Sequence, residues 1–218
     1  MSTSTLPASN TAYGTREYWE ERYAAEGAET TFDWFLKPSY LIPILEPYMP
    51  KGKETRILML GCGNSTLGEE MYDAGYHGIV NIDYSATLIE QMIGKHAEKR
   101  PGMTWLEMDI RDLKFEDESF DVVIDKGTMD AMLTSKGDVW NPAEEDVKNC
   151  NEEIREACRV LRKREGSMFL YATFGQPHFR RRYMQGHQGF ALTHKDIGPP
   201  EGFSYFLYEL KWTGSGTS

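Results

Sequence analysis

The chain has 218 residues, 40% of them hydrophobic, and a formal net charge of −10. That length and apolar content suffice for one substantial core and argue for one domain rather than two. Binding to a phosphate backbone needs clustered Lys and Arg, so the acidic balance argues against nucleic acid, and no apolar run is long enough to span a bilayer.

Met1 to Asn10 is Ser/Thr-rich, with no charged-then-apolar leader. Residues 1–15 read as a flexible N-terminal segment, 16–212 as the single domain and 213–218 as a flexible tail. Thr15 to Ala25, TREYWEERYAA, reads as a helix with Thr15 as N-cap and Trp19 and Tyr23 sharing a face. Phe32-Asp33-Trp34-Phe35 follows, then a helical stretch from about Ser39 to Tyr48 that Pro43 bends or starts.

The first core strand is Ile57-Leu58-Met59-Leu60, followed at once by Gly61 and Gly63, as where a buried parallel strand turns tightly into a helix. Thr66 to Gly75 reads as the first crossover helix, with Gly75 as its stop. A second strand, Ile79-Val80-Asn81-Ile82, delivers Asp83 at the spacing where a carboxylate reaches a ribose diol. Ser85 to Lys99 reads as the next helix, N-capped by Ser85.

Met103 to Met108 makes a third strand ending at Asp109-Ile110, and Phe120 to Ile124 a fourth ending at Asp125-Lys126-Gly127-Thr128. Asn141 to Leu161 is a long polar helical pattern and Ser167 to Thr173 a fifth strand. Arg180-Arg181-Arg182 reads as a solvated loop or helix face. Ala191–Lys195 and Ser204–Leu210, joined through Gly-Pro-Pro-Glu-Gly, read as a closing strand pair. This alternation implies an α/β, Rossmann-like, doubly wound seven-strand sheet, mostly parallel with an antiparallel edge.

Ligands of such sheets bind outside the carboxyl ends of the strands, where Gly61, Asp83, Asp109 and Asp125-Lys126 converge. A dinucleotide fingerprint starting at Gly61 would need glycine at position 66, which is Thr66, and the Gly-Lys-Ser/Thr ending of a P-loop is missing. A cofactor with a ribose but no phosphate, S-adenosylmethionine, fits these residues better than a nicotinamide cofactor. Asp109 can accept from the adenine amine while Ile110 covers the ring. The three cysteines, Cys62, Cys150 and Cys158, form neither a paired framework nor a metal-ligand spacing; no metal is expected, and the usage suits a reducing, cytoplasmic setting.

With those residues in place the chain resembles the class I, seven-strand S-adenosylmethionine-dependent methyltransferases and, more narrowly, the elongation factor 1-alpha lysine methyltransferases. The resemblance is carried by YWEERY at Tyr18–Tyr23, DWF at Asp33–Phe35, LGCGNS at Leu60–Ser65, NIDYS at Asn81–Ser85, MDIRDL at Met108–Leu113, SFDVVIDKGTMDA at Ser119–Ala131 and PHFRRRY at Pro177–Tyr183. It departs from many class I relatives in having Met59 before the glycine loop and Lys163-Arg164-Glu165-Gly166 before the fifth strand.

The resemblance implies cofactor contacts from Trp19, Tyr23, Trp34, Gly61, Asp83, Tyr84, Asp109, Ile110 and Lys126. It implies S-adenosylhomocysteine as product and elongation factor 1-alpha as protein substrate. Aromatic faces suit a sulfonium cation. Asp125 and Asp130 are the candidate catalytic residues for orienting the acceptor amine, with Tyr18 or His178 lining its slot. A small-molecule methyltransferase and a noncatalytic S-adenosylmethionine-binding partner protein stay open as alternatives.

Overall fold

The structure, a computed structural model, describes residues 6–135 and 140–214. Seven strands form one sheet: β1 Ile57–Leu60, β2 Ile79–Asp83, β3 Thr104–Glu107, β4 Val122–Lys126, β5 Met168–Thr173, β6 Phe190–Asp196 and β7 Phe206–Trp212, in the order β3-β2-β1-β4-β5-β7-β6. Strands β1 to β5 are mutually parallel, and β7 runs antiparallel to both β5 and β6. The reversed strand therefore lies one place in from the edge, with β6 outermost.

The pleat sorts the core. Leu58, Leu60, Val80, Ile82 and Val123 share a cluster with Ile154 and Ala157 of α6 (Glu144–Val160) and Tyr183 and Met184 of α7 (Pro177–Met184). Ile57, Met59, Ile79, Val122 and Ile124 pack on the other face against Leu41 and Leu45 of α2 (Pro38–Leu45) and Leu67 and Met71 of α3 (Leu67–Asp73). Both faces are covered, so β1 and β2 are buried at every position. A third cluster joins Trp19 and Tyr23 of α1 (Arg16–Glu26) to Leu88, Ile89 and Met92 of α4 (Ala86–His96).

Ser85 caps α4, its hydroxyl accepting the Leu88 N–H at 3.1 Å. Thr15 occupies the N-cap position of α1 without a side-chain cap; its hydroxyl instead donates backward to the Ala12 carbonyl at 2.8 Å. That bond belongs to an unexpected turn of 3-10 helix over Asn10–Gly14, so the expectation of flexibility through residue 15 is corrected for this stretch. Two further helices escaped the sequence reading: α5 (Thr128–Met132), too short to show a period, and α7, whose arginines mask an apolar side carrying Tyr183 and Met184. Residues 1–5 and 215–218 of the expected flexible ends lie outside the described residues. No helix among the described residues is long and apolar enough to cross a membrane.

Candidate active site

The carboxyl ends of the parallel strands open into a cavity of about 560 Å³, a size suited to a nucleoside-containing ligand. Gly61 and Gly63 form its floor with φ of 53° and 52°, in the left-handed region glycine favours. A Cβ on Gly61 would collide with Thr128, so glycine is needed there for two reasons at once. Asp83 stands at the end of β2, 5% exposed. Its Oδ2 accepts the Gly63 N–H at 3.0 Å and its Oδ1 the Ser85 N–H at 3.0 Å. Burial pushes its pKa up to about 6 against the pull of those amides.

The loop amides bear on the ligand. Cys62 N–H donates to the Ile82 carbonyl at 2.8 Å and Gly63 N–H to Asp83, so both are spent inside the protein. A pyrophosphate placed there would meet the Asp83 carboxylate instead of free donors, whereas ribose hydroxyls would donate to it. The donor set fits an adenosine without phosphates.

The leader supplies an aromatic wall. Trp19 stacks on Tyr23 with centroids 5.6 Å apart, and its indole N–H donates to the Tyr13 carbonyl at 2.7 Å. Tyr13 meets Trp34 edge-on at 5.4 Å. Arg22, buried, lies over Phe32 at 4.9 Å and Trp19 at 5.4 Å. Glu20 fastens this helix to the site, accepting from Ser85 Oγ at 3.0 Å and the Ala86 N–H at 2.8 Å. Tyr13, Glu20 and Arg22 were missed by the sequence reading. Glu20 and Arg22 stand inside the quoted YWEERY run, whose acidic and basic members drew less attention than its rings.

Asp33 links the two sides of the floor. It bonds the hydroxyls of Ser65 and, at 3.2 Å, Thr66, and pairs with the Lys126 ammonium at 3.3 Å. Burial lowers the Lys126 pKa, with Asp33 working against that shift. Burial also disfavours the Asp109 anion, but Arg111, at 2.6 Å, outweighs it and holds the carboxyl below its ordinary range. Burial raises the Tyr84 hydroxyl.

All nine expected cofactor-contact residues, Trp19, Tyr23, Trp34, Gly61, Asp83, Tyr84, Asp109, Ile110 and Lys126, line this one cavity. The two aspartates expected to orient the acceptor part company. Asp130 lines the cavity, its Oδ1 accepting from Thr173 Oγ1 at 2.8 Å and Arg180 Nη2 at 2.7 Å, while its buried Oδ2 has no partner among the described residues. Asp125 does not line the cavity: fully buried, it accepts the Thr128 and Met129 N–H groups at 2.7 and 2.9 Å and so caps α5. A direct contact with acceptor is therefore corrected for Asp125, because the pleat points it toward α6. Tyr18 and His178 are also absent from the lining; His178 stacks on Trp140 at 5.4 Å and Tyr18 packs edge-on against Tyr13 at 5.3 Å.

Comparison with known proteins agrees with this geometry. The Methyltransferase domain family matches residues 51–183. EEF1A lysine methyltransferase 4 of Bos taurus is 37% identical over 94% of this chain and 78% of its own length. The eEF1A lysine and N-terminal methyltransferase of Mus musculus is 38% identical over 81% of this chain, which matches 24% of that longer protein. Among solved structures, geranyl diphosphate C-methyltransferase of Streptomyces coelicolor, in complex with S-adenosyl-L-homocysteine, superposes with a TM-score of 0.64 at 14% identity, covering 94% of this chain and all of the other. Magnesium protoporphyrin IX methyltransferase of Synechocystis with bound SAM gives 0.61 at 15% identity, over 95% of this chain and all of the other. At such identities these two bear on the fold alone. The chain has the class I methyltransferase fold and belongs to the Methyltransferase domain family, within the eEF1A lysine methyltransferases.

Proposed function

We propose that this enzyme methylates a lysine side chain of translation elongation factor 1-alpha, with Asp130 orienting the incoming amine. The observation that carries the acceptor is the 37% identity to a relative named for that activity, spread over 94% of the chain. The −10 charge suits a basic protein partner and disfavours nucleic acid. Three free thiols, two of them buried, suit a cytoplasmic enzyme.

S-adenosylmethionine, the cofactor this reading requires, would supply a sulfonium methyl for in-line displacement by a neutral amine, leaving S-adenosylhomocysteine as the thioether and a methylammonium that loses its extra proton to solvent. In this reading Asp83 accepts from the ribose hydroxyls, and Asp109 accepts from the adenine amine under the cover of Ile110. Trp19, Tyr23 and Trp34 turn ring faces toward the cation, Tyr84 packs beside the nucleoside, and Lys126 offers a charge to an anionic group. The free Oδ2 of Asp130 accepts an N–H of the acceptor and holds the nitrogen in line, while the aromatic wall excludes water. Arg180 and Thr173 fix the other oxygen, so the carboxylate is pre-aimed.

The test is transfer of label from S-adenosylmethionine to purified elongation factor 1-alpha. Lysine methylation is expected, with Asp130→Asn lowering turnover about tenfold or more and leaving S-adenosylhomocysteine affinity intact. Labelling of a small molecule but no protein would overturn the acceptor, and full turnover by Asp130→Asn would remove that residue from the reaction.

A further inference from the structure

Behind the cavity wall, α6 points a carboxyl at a carboxyl. Glu153 has no exposed surface, and neither of its oxygens finds a donor among the described residues. Its neighbour is Asp125, in hydrogen-bonding contact, and both oxygens of Asp125 already accept backbone N–H groups. Two carboxylates sealed together cannot both be ionised, because their repulsion adds to the loss of hydration.

The surrounding charges offer no escape. Arg180 is engaged by Asp130 at 2.7 Å and by the Tyr171 hydroxyl at 3.2 Å. Lys126, on the next residue of β4, pairs with Asp33. From α6 itself Asp146 and the Cys150 thiol face this region, and Asp146 accepts from Ser135 Oγ at 2.6 Å. Asp130 on α5 adds a further negative neighbour. Among the described residues no cation is left to pair with Glu153, and a proton on one of its oxygens turns that oxygen into a donor toward Asp125.

We infer that Glu153 is a neutral carboxylic acid that donates its proton to Asp125, and that this shared proton positions the turn between β4 and α5. Burial first, and the Asp125 charge second, push Glu153 well above the carboxylate range. The proton sits on Glu153 because Asp125 receives two N–H donors that favour its charged form. The consequence reaches the site in two steps. Asp125 caps α5, whose Thr128 hydroxyl donates to the carbonyls of Leu60 at 3.0 Å and Gly61 at 3.3 Å and clamps the glycine loop. Two residues further on, the same helix carries Asp130. Glu153 is thus a positioning residue for both ends of the cavity without touching either.

Glutamine has the shape of a neutral glutamic acid and keeps an N–H donor, so Glu153→Gln replaces the function while Glu153→Ala removes it. Calorimetric titration with S-adenosylhomocysteine should give Glu153→Gln within about threefold of wild type and Glu153→Ala weaker by about tenfold. Infrared spectroscopy at neutral pH should show the C=O stretch of a protonated carboxyl in wild type, absent in Glu153→Gln. Should Glu153→Ala fail to fold, the band and the glutamine variant decide. Absence of the band, its persistence in Glu153→Gln, or a glutamine variant as weak as the alanine one would each overturn the inference.

Discussion

The ends of β2 and β4, which flank β1, each present an aspartate whose oxygens both accept backbone N–H groups, yet they serve opposite sides of the sheet. The pleat gives Asp83 the parity of Ile79 and Asp125 that of Val123, and those two valine and isoleucine positions belong to different core clusters. Asp83 reaches the cavity, whereas Asp125 turns inward to Glu153 and leaves Asp130, five residues on, to line the cavity. A strand-end carboxylate is therefore read correctly only with its parity and its leftover lone pairs.

The largest expected effect separates the two aspartates directly. Asp83→Ala removes a charged acceptor and orphans two loop amides, and should weaken S-adenosylhomocysteine binding about a hundredfold, on the scale of roughly 3 kcal/mol for charged hydrogen bonds. Asp125→Ala, which reaches the cavity only through α5, should weaken binding by about tenfold, as Glu153→Ala does, and lower folding stability in urea. Equal losses of binding in both variants would erase the distinction.

Gly61→Ala tests the clamp between the two ends. The added methyl meets Thr128 and the residue is held at positive φ, so stability should fall by about 2 kcal/mol in chemical denaturation. Gly94→Ala on α4, where a Cβ meets nothing within 4 Å, serves as the control and should be neutral or stabilising.

Acid sharpens the contrast at Asp83, whose folded pKa is raised to about 6. Below that pH the ligand-free site takes up a proton and loses its acceptor. Calorimetry should show affinity falling by about tenfold per pH unit below 6, with little change above it. The sign for folding is reversed: a raised folded pKa contributes stability that is complete below the unfolded value and is lost as pH rises through about 6. Affinity that holds constant down to pH 5 would detach Asp83 from the ligand.

The smallest effect concerns the link between the ends. Asp33→Asn keeps the shape but removes the anion beside Lys126, a buried ammonium already disfavoured by burial and free to shed its proton. A loss of about 1 kcal/mol is expected, non-additive with Lys126→Gln in a double-mutant cycle. Additivity would mean that the two ends are held independently.

Much of this was legible in the chain. Short runs such as the apolar Ile57–Leu60 and the mostly apolar Ile79–Ile82 announce buried parallel strands, and the glycine pair with Asp83 announces the cavity end of the sheet, because both depend on local backbone rules. The leader aromatics were legible only through resemblance. Nothing local brings residue 19 to residue 84; that takes the packing of α1 on α4. The helix α5 was illegible because five residues carry no period, and the turn over Asn10–Gly14 because its partners are Trp19 and Trp34.

By itself the sequence determined the succession of the strands and of helices α1 to α4 and α6, the glycine turn and the strand-end place of Asp83, all set by short-range sterics and spacing. Only the tertiary structure decided which aspartate lines the cavity, that Glu20 and Asp33 tie the leader to the strand ends, and that Glu153 lies against Asp125. Those outcomes rest on contacts between residues 28 to 66 positions apart, and solvation and charge at such contacts exist only once the chain has closed around them.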